Sequence, residues 1–233
     1  MKLKMRDKLL ILGIVLNAIF TSAQSSVQPP VRIMCMGDSI TEGGASFSNW
    51  RYPLWTKLHA GGYAFVFVGS KQSASPAGAL SHEGYGGKTV EYLATFAADR
   101  FASYRPDILL LHAGHNHTVE QNPIPAILAA TEKVIVDFRH VNPQATILLA
   151  QVIPSLKLPK YQYIPALNQE LAKLGKRLDL PTSRIVVVDC ASGFDPQVDC
   201  VADRVHPSAT GAEKIASTWA AALQPLLATR KAP

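Results

Sequence analysis

The chain has 233 residues, 48% of them hydrophobic, and carries a formal net charge of +6 with a pI near 9.3. Four of its basic residues lie within residues 1–23, so the remainder carries only +3 and shows no basic stripe interleaved with aromatic side chains. This charge distribution argues against a nucleic-acid partner. The length is enough for one well-packed domain.

The first 23 residues have the composition of a secretory signal peptide. Basic residues precede an apolar run at 9–20, and small residues follow it up to Ala23. The apolar run is shorter than the roughly 20 residues that cross a bilayer, so we expect no permanent membrane anchor. We expect cleavage after Ala23, a secreted or periplasmic location, and a single monomeric domain formed by residues 24–233.

Five apolar, β-branched segments alternate with five segments of helical periodicity. The strands are predicted at 31–36, 64–68, 107–112, 146–152 and 184–188, and the helices at 50–60, 90–104, 123–141, 164–178 and 209–227. Continuously apolar strands joined by helices are typical of a parallel sheet buried on both faces. The predicted fold is therefore a three-layer α/β/α domain with a five-stranded parallel sheet, with its ligand site at the carboxyl ends of the strands.

A serine, a histidine and an aspartate follow strands of this predicted sheet. Ser39 lies in "IMCMGDSITEGG" after the first strand, and His206 and Asp203 lie in "DCVADRVHPSATG" before the last helix. An aspartate three residues before a histidine can reach its Nδ1 atom, which would make that histidine a base for the serine hydroxyl. The alternative is that Ser39 only closes a turn and that Ser208 or Thr210 simply caps the last helix.

Two further loops offer donors for a negatively charged oxygen. The glycine loop, residues 83–89 ("EGYGGKT"), contains Gly86 and Gly87, and Asn116 lies just after the third predicted strand in "HAGHNHT". Backbone amides beside glycines and side-chain amides at strand ends are typical oxyanion donors in acyl transfer. Each signal is common by itself, but together they occur in chain order at the strand ends.

These four blocks resemble those of the SGNH (GDSL) hydrolases, whose fold is flavodoxin-like. The resemblance rests on "GDSIT", the glycine loop, "G-x-N" and "D-x-x-H-P", and it covers nearly all of the chain after residue 23. It implies a serine esterase without cofactor or metal, in which Asp38 is structural. The reactive groups that it implies are the nucleophile Ser39, the base His206, its partner Asp203, and the oxyanion donors Ser39, Gly87 (or, as the less favoured choice, Gly86) and Asn116.

A narrower resemblance points to the acetyl xylan esterases of carbohydrate esterase family three. It rests on "GDSITEGG", "NWRYPLWTKLHAGGYAFVFVGS" and "HEGYGGKTV", and it implies deacetylation of a carbohydrate polymer such as acetylated xylan. The alternatives are a lipid or aryl-ester acylhydrolase, or a carbohydrate-binding protein that has lost catalysis. The chain departs from the family in its third block (residues 114–117), which reads "GHNH" where "GTND" is usual. We therefore expect His115 and His117 to change the hydrogen bonds around Asn116.

Several other residues are candidates for the substrate-binding rim. Arg51, Tyr52 and Tyr85 lie on or near loops that should surround the site, and Tyr161 and Tyr163 follow the fourth strand. Trp50 and Trp55 belong to an amphipathic segment in which large side chains usually pack in the core.

The histidines and cysteines allow two further interpretations. His112, His115 and His117 have a spacing that a zinc site could use, although a strand end gives no assurance that three ligands converge. Cys190 and Cys200 bracket a short polar loop in an exported chain, which favours a disulfide, whereas Cys35 lies within an apolar strand.

Overall fold

The structure is a computed structural model that describes residues 29–228, so the predicted signal peptide lies outside the described residues. The strands are β1 (Val31–Gly37), β2 (Phe65–Val68), β3 (Lys71–Ser73), β4 (Leu80–Gly84), β5 (Ile108–His112), β6 (Thr146–Gln151) and β7 (Ile185–Asp189). The helices are α1 (Ser39–Glu42), α2 (Arg51–Ala60), α3 (Val90–Ala94), α4 (Ala97–Tyr104), α5 (Ile124–Val141), α6 (Ile164–Leu178) and α7 (Ala209–Leu227). A single 3-10 turn spans Val119–Gln121.

The strands form one sheet in the order β3-β4-β1-β5-β6-β7, with β2 paired to β1. Every pairing is parallel except that of β3 with β4. The α/β/α architecture predicted from the sequence is confirmed, but the sheet has seven strands rather than five. Among residues 29–228 no helix is long and apolar enough to cross a membrane.

The two strands missed by the sequence analysis form a polar hairpin at the edge of the sheet. β3 reads "KQS" and β4 reads "LSHEG", so neither shows the apolar alternation of a strand. His82 and Glu83 in β4 are nevertheless buried. Glu83 accepts hydrogen bonds from the Ser70 amide at 2.5 Å and from the Tyr85 hydroxyl at 2.7 Å. These hydrogen bonds allow a polar strand to be buried, and a search for apolar alternation does not reveal them.

Helices cover both faces of the sheet. Along β1, Ile33 and Cys35 pack into the cluster beneath α2 and α7, while Met34 and Met36 pack into the cluster beneath α3, α4, α5 and α6. This alternation follows from the period of two in a strand. Both faces of β1 are apolar because both are covered, which explains its unbroken hydrophobic sequence.

One predicted helix is divided into two. The segment predicted as a helix at 90–104 contains α3 and α4, with Thr95 and Phe96 between them. The Thr95 hydroxyl donates to the Tyr92 carbonyl at 2.7 Å, and Phe96 has φ −131° and ψ 1°. A threonine that bonds its own backbone in this way competes with helix continuation.

The three cysteines are free thiols in the structure, contrary to the predicted disulfide between Cys190 and Cys200. Both side chains are buried in the apolar cluster beneath α7. Burial raises the pKa of the Cys200 thiol to about 12 and that of Cys190 further. Each sulfur therefore packs as a small apolar group rather than as half of a cystine.

Candidate active site

The turn from β1 into α1 places Ser39 at the carboxyl edge of the sheet. Ser39 is the first residue of α1, and Asp38 caps this helix by accepting the Ile40 amide at 3.0 Å. A Cβ atom on Gly37 would lie 2.2 Å from the His112 carbonyl oxygen of β5. Glycine is therefore required before Asp38, because the nucleophile turn approaches the neighbouring strand too closely for a side chain.

The structure brings Ser39, His206 and Asp203 into one chain of hydrogen bonds. Ser39 Oγ lies 2.8 Å from His206 Nε2, and His206 Nδ1 lies 2.5 Å from Asp203 Oδ2. The other oxygen, Asp203 Oδ1, accepts the amides of Val205 and His206, each at 2.9 Å. Because an ionised carboxylate only accepts, the proton of neutral His206 is on Nδ1, and Nε2 is free to accept the proton of Ser39.

The surroundings of this pair favour a charged aspartate and a fixed imidazole. Partial burial opposes ionisation of Asp203, but the hydrogen bond from His206 and the two backbone amides outweigh it and hold the pKa of Asp203 below its usual value. The Phe47 ring stacks on the His206 ring with centroids 4.0 Å apart and an interplanar angle of 18°. Phe47 restricts the imidazole orientation, and no pattern in the sequence indicated this role.

The glycine loop lies beside Ser39, and its two consecutive glycines differ in whether their amides are engaged. The Gly86 amide donates to Glu42 Oε2 at 2.5 Å, so it is already engaged. Gly87 has φ +71°, and within the described part of the chain its amide has no hydrogen-bond partner. The Gly86 amide is therefore used within the fold, whereas the Gly87 amide is free for a ligand. The structure also shows a role for Glu42 in holding the loop, which the sequence analysis missed.

Asn116 is tied to the same loop. It is half-buried with φ +71°, and its Nδ2 atom donates to the Lys88 carbonyl at 2.9 Å. An amide nitrogen carries two hydrogens, so this bond leaves the second available to an oxyanion. The bond to Lys88 also couples the third block to the glycine loop, next to Gly87.

Arg51 is not available to a substrate, contrary to the prediction. Its side chain is buried, and its guanidinium donates to the carbonyls of Thr41 at 2.7 Å and Glu42 at 2.8 Å. A further bond at 3.0 Å joins it to the Ser73 hydroxyl on β3. Arg51 thus satisfies carbonyl groups at the end of α1 and ties the nucleophile helix to the polar hairpin.

We expect Arg51→Ala to lower the free energy of unfolding by about 2–4 kcal/mol, because it leaves buried carbonyls without donors and opens a cavity. Urea denaturation of the purified protein measures this loss. Arg177→Ala is the control, since Arg177 pairs with Glu132 at 2.8 Å on the surface and its loss should change stability little. Equal midpoints for Arg51→Ala and the parent would contradict the structural role.

The two predicted tyrosines have different surroundings. The Tyr85 hydroxyl donates to Glu83, and its ring packs against Phe96 with centroids 4.9 Å apart, so it is used within the fold rather than at a rim. Tyr52 is half-buried and lines a pocket of about 280 Å³. Phe47, the ring stacked on His206, lines the same pocket.

Three of the four other aromatic residues singled out in the sequence are buried. Tyr161 and Tyr163 are buried, and the Tyr163 hydroxyl donates to the Gly114 carbonyl at 2.8 Å, so they support the third block from inside. Trp50 is buried against Trp219, as expected of a core residue. Trp55 is only partly buried, against the same cluster.

His112, His115 and His117 have different surroundings. His117 Nε2 lies 3.0 Å from Glu91 Oε1, so α3 supplies a carboxylate near the position where the family's aspartate is missing. His112 and His115 are fully buried, and burial lowers their pKa values to about 4 and about 3. Across the described range, 29–228, no group of three or more His, Cys, Asp or Glu side chains could hold a metal ion.

A serine, a histidine and an aspartate thus lie together at the carboxyl ends of the strands of an open parallel sheet, which is where ligands of such sheets bind. Residues 35–214 match the GDSL-like Lipase/Acylhydrolase family, and the chain belongs to that family. A curated relative, the multidomain esterase of Ruminococcus flavefaciens, is 27% identical over 223 residues. That match covers 84% of this chain and 28% of the relative, so the chain spans less than a third of that protein's length.

Solved structures show the same fold. The carbohydrate esterase family 3 protein from Talaromyces cellulolyticus is 24% identical, with a TM-score of 0.76 over 85% of this chain and 99% of that chain. The family 3 carbohydrate esterase of Clostridium thermocellum is 25% identical, with a TM-score of 0.75 over 86% and 98% of the respective chains. A lipase/acylhydrolase from Enterococcus faecalis is similar at a TM-score of 0.66 and 17% identity, over 84% of this chain and 97% of that one.

Proposed function

We propose that the protein is a serine esterase that removes short acyl groups, above all acetyl, from carbohydrate. The observation that carries this proposal is the hydrogen-bonded chain from Ser39 through His206 to Asp203, at 2.8 Å and 2.5 Å. The family supports ester chemistry, and two structural neighbours that are named as carbohydrate esterases support a carbohydrate substrate.

The reaction proceeds in two halves. His206 Nε2 takes the Ser39 hydroxyl proton while Ser39 Oγ forms a bond to the ester carbonyl carbon. The tetrahedral oxyanion accepts hydrogen bonds from the amides of Ser39 and Gly87 and from Asn116 Nδ2. The bond to the sugar oxygen then breaks, and His206 returns the proton to that oxygen, which leaves an acyl-serine. Water, deprotonated by His206, attacks this ester, and the acid and free Ser39 are released.

The position of the leaving alcohol follows from the role of His206. The imidazole must reach the departing oxygen, so the sugar lies on the His206 side of the nucleophile. We place the sugar in the pocket lined by Phe47 and Tyr52, because Phe47 also stacks on His206 and because Ser48 and Asn49 line the same pocket. An aromatic face with nearby polar groups suits a sugar ring, and on this ground Tyr52 remains our proposed substrate contact.

Location and assembly belong to the same proposal. The basic, apolar and small-residue pattern of residues 1–23 supports export of the chain to the periplasm or the medium. We propose that the exported protein acts as a monomer with acetylated carbohydrate as its partner.

Acetate release tests the substrate. The protein lacking residues 1–23 is incubated with acetylated xylan and with p-nitrophenyl acetate in the presence of a chelator, with Ser39→Ala as the blank. Release from both substrates, with a higher kcat/KM on xylan, is the expected result. Hydrolysis confined to long-chain lipid esters would establish the acylhydrolase alternative, and xylan binding without acetate release would establish the non-catalytic one.

Asn116→Ala should reduce kcat by about 100-fold or more, because it removes one oxyanion donor. Steady-state kinetics on p-nitrophenyl acetate measures the effect. Asn142→Ala is the matched control: Asn142 Nδ2 also donates to a backbone carbonyl, that of Pro106 at 3.3 Å, but at the amino ends of the strands. A loss of kcat of similar size in both variants would mean that Asn116 acts only through stability.

A further inference from the structure

Two buried polar atoms face each other directly behind the proposed nucleophile. Asp38 Oδ2 and His115 Nδ1 lie 3.7 Å apart, and neither has a hydrogen-bond partner among the described residues. Asp38 is 0% exposed and His115 is 2% exposed, so solvent does not satisfy these atoms. Buried polar atoms are rarely left unpaired, which suggests that these two serve each other.

The other contacts of His115 determine where its proton is. His115 Nε2 lies 3.1 Å from the Ile153 carbonyl oxygen, which can only accept, so Nε2 carries the hydrogen. Burial, reinforced by the neighbouring His112, lowers the pKa of His115 to about 3, so the ring is neutral. His115 Nδ1 therefore carries a lone pair, which needs a hydrogen-bond donor.

The contacts of Asp38 show which form of its carboxyl suits that lone pair. Asp38 Oδ1 accepts the Ile40 amide at 3.0 Å, so Oδ2 is the oxygen nearest His115. An ionised Oδ2 would place negative charge against a lone pair in a dry site, whereas a protonated Oδ2 would donate to it. Burial favours the protonated form and raises the pKa of Asp38 to about 7.

We propose that Asp38, as a neutral carboxylic acid, donates its proton from Oδ2 to His115 Nδ1, and that this bond holds the turn carrying Ser39 against the loop carrying Asn116. Each partner directly precedes a residue that the proposed mechanism uses, so the inference rests on the proposed function. Neither side chain touches substrate, so both are positioning residues. The two atoms are 3.7 Å apart in the structure, which is beyond hydrogen-bond distance, so the proposed bond requires the two side chains to approach each other by about 1 Å.

The pair predicts an alkaline limit on activity. Below pH 7 Asp38 holds its proton and the bond persists, and above it the carboxylate forms and repels the His115 lone pair. The titratable groups near the pair are the last residue of β5, the residues before α6, and the proposed base: His112, Lys160, Tyr161, Tyr163 and His206.

Asp38→Asn tests the proposal because an amide has the shape and hydrogen-bonding of a neutral acid. Its oxygen can cap Ile40, and its nitrogen can donate to His115 Nδ1 without ever ionising. At pH 6 kcat on p-nitrophenyl acetate should stay within about threefold of the parent, and the decline of the parent above about pH 7 should be absent. Asp38→Ala, which loses the cap and the donor together, should lose about tenfold or more in kcat.

Nitrogen NMR of the histidine rings gives a second measurement that needs no variant. We expect His115 to be neutral with hydrogen on Nε2 at pH 6, in the parent and in Ser39→Ala alike. A doubly protonated His115 would indicate an ion pair with charged Asp38 and would overturn the proposal, as would a 100-fold loss of kcat in folded Asp38→Asn. Full activity of Ser39→Ala would overturn the proposed function, while the NMR result would still decide the state of the pair.

Discussion

Replacing Ser39 with alanine is expected to lower kcat by about ten-thousand-fold or more on both p-nitrophenyl acetate and acetylated xylan. The variant keeps the oxyanion donors and the base but has no oxygen to form the acyl-enzyme. The thermal midpoint should not change, because within residues 29–228 the Ser39 hydroxyl bonds His206 alone and the cap of α1 comes from Asp38.

The control for this variant is Ser46→Ala, since Ser46 lies in the exposed loop after α1 and should retain full activity. Kinetics at substrate saturation separate kcat from KM in both variants. If Ser39→Ala keeps a tenth or more of the parent kcat, the acyl-enzyme mechanism is wrong and water must attack the ester directly.

Asp203→Asn is expected to lower kcat by about ten-thousand-fold, because it changes which ring nitrogen of His206 carries the proton. The asparagine oxygen can still accept the amides of Val205 and His206, so the loop is kept. Its nitrogen, however, presents hydrogen to His206 Nδ1, which moves the imidazole proton to Nε2. His206 then faces Ser39 with a hydrogen and cannot accept the hydroxyl proton.

Asp189→Asn is the matched control for Asp203→Asn. Asp189 Oδ1 accepts two backbone amides, those of Ala191 and Ser192, in the loop directly after β7, but it has no contact with His206. This variant should keep full activity. A comparable loss in both variants would mean that Asp203 matters only for loop geometry, and nitrogen NMR of His206 would then show an unchanged tautomer.

The elements with strong local periodicity were predictable almost to the residue. Helices α6 and α7 have the predicted bounds, and β1 differs by one residue at its end. Their apolar positions repeat at helix or strand spacing because one side, or both, must be buried whatever the rest of the chain does. The hairpin β3-β4 escaped prediction because its buried side chains are polar and because it is held in part by Arg51, which lies more than 20 residues away in the sequence.

The residues of the candidate site show the same difference between what local pattern reveals and what depends on tertiary contacts. The proposed reactive groups could be singled out because their four blocks occur in chain order and resemble those of a known family, although each block is common by itself: Ser39, Gly87, Asn116, Asp203 and His206. Arg51 had no such signal, since a guanidinium beside the site looks the same in sequence whether it meets a substrate or, as found, the end of α1.

By itself the sequence determined the α/β alternation, the family's four blocks and the identity of the residues at the strand ends, because these depend on local spacing and residue chemistry. Only the tertiary structure decided that the Gly86 amide is taken by Glu42 and that His115 faces Asp38. Those assignments depend on which donors and acceptors meet across the sheet once water is excluded. The role of a buried polar atom depends on its hydrogen-bond partner, and in these cases the partner lies on another element.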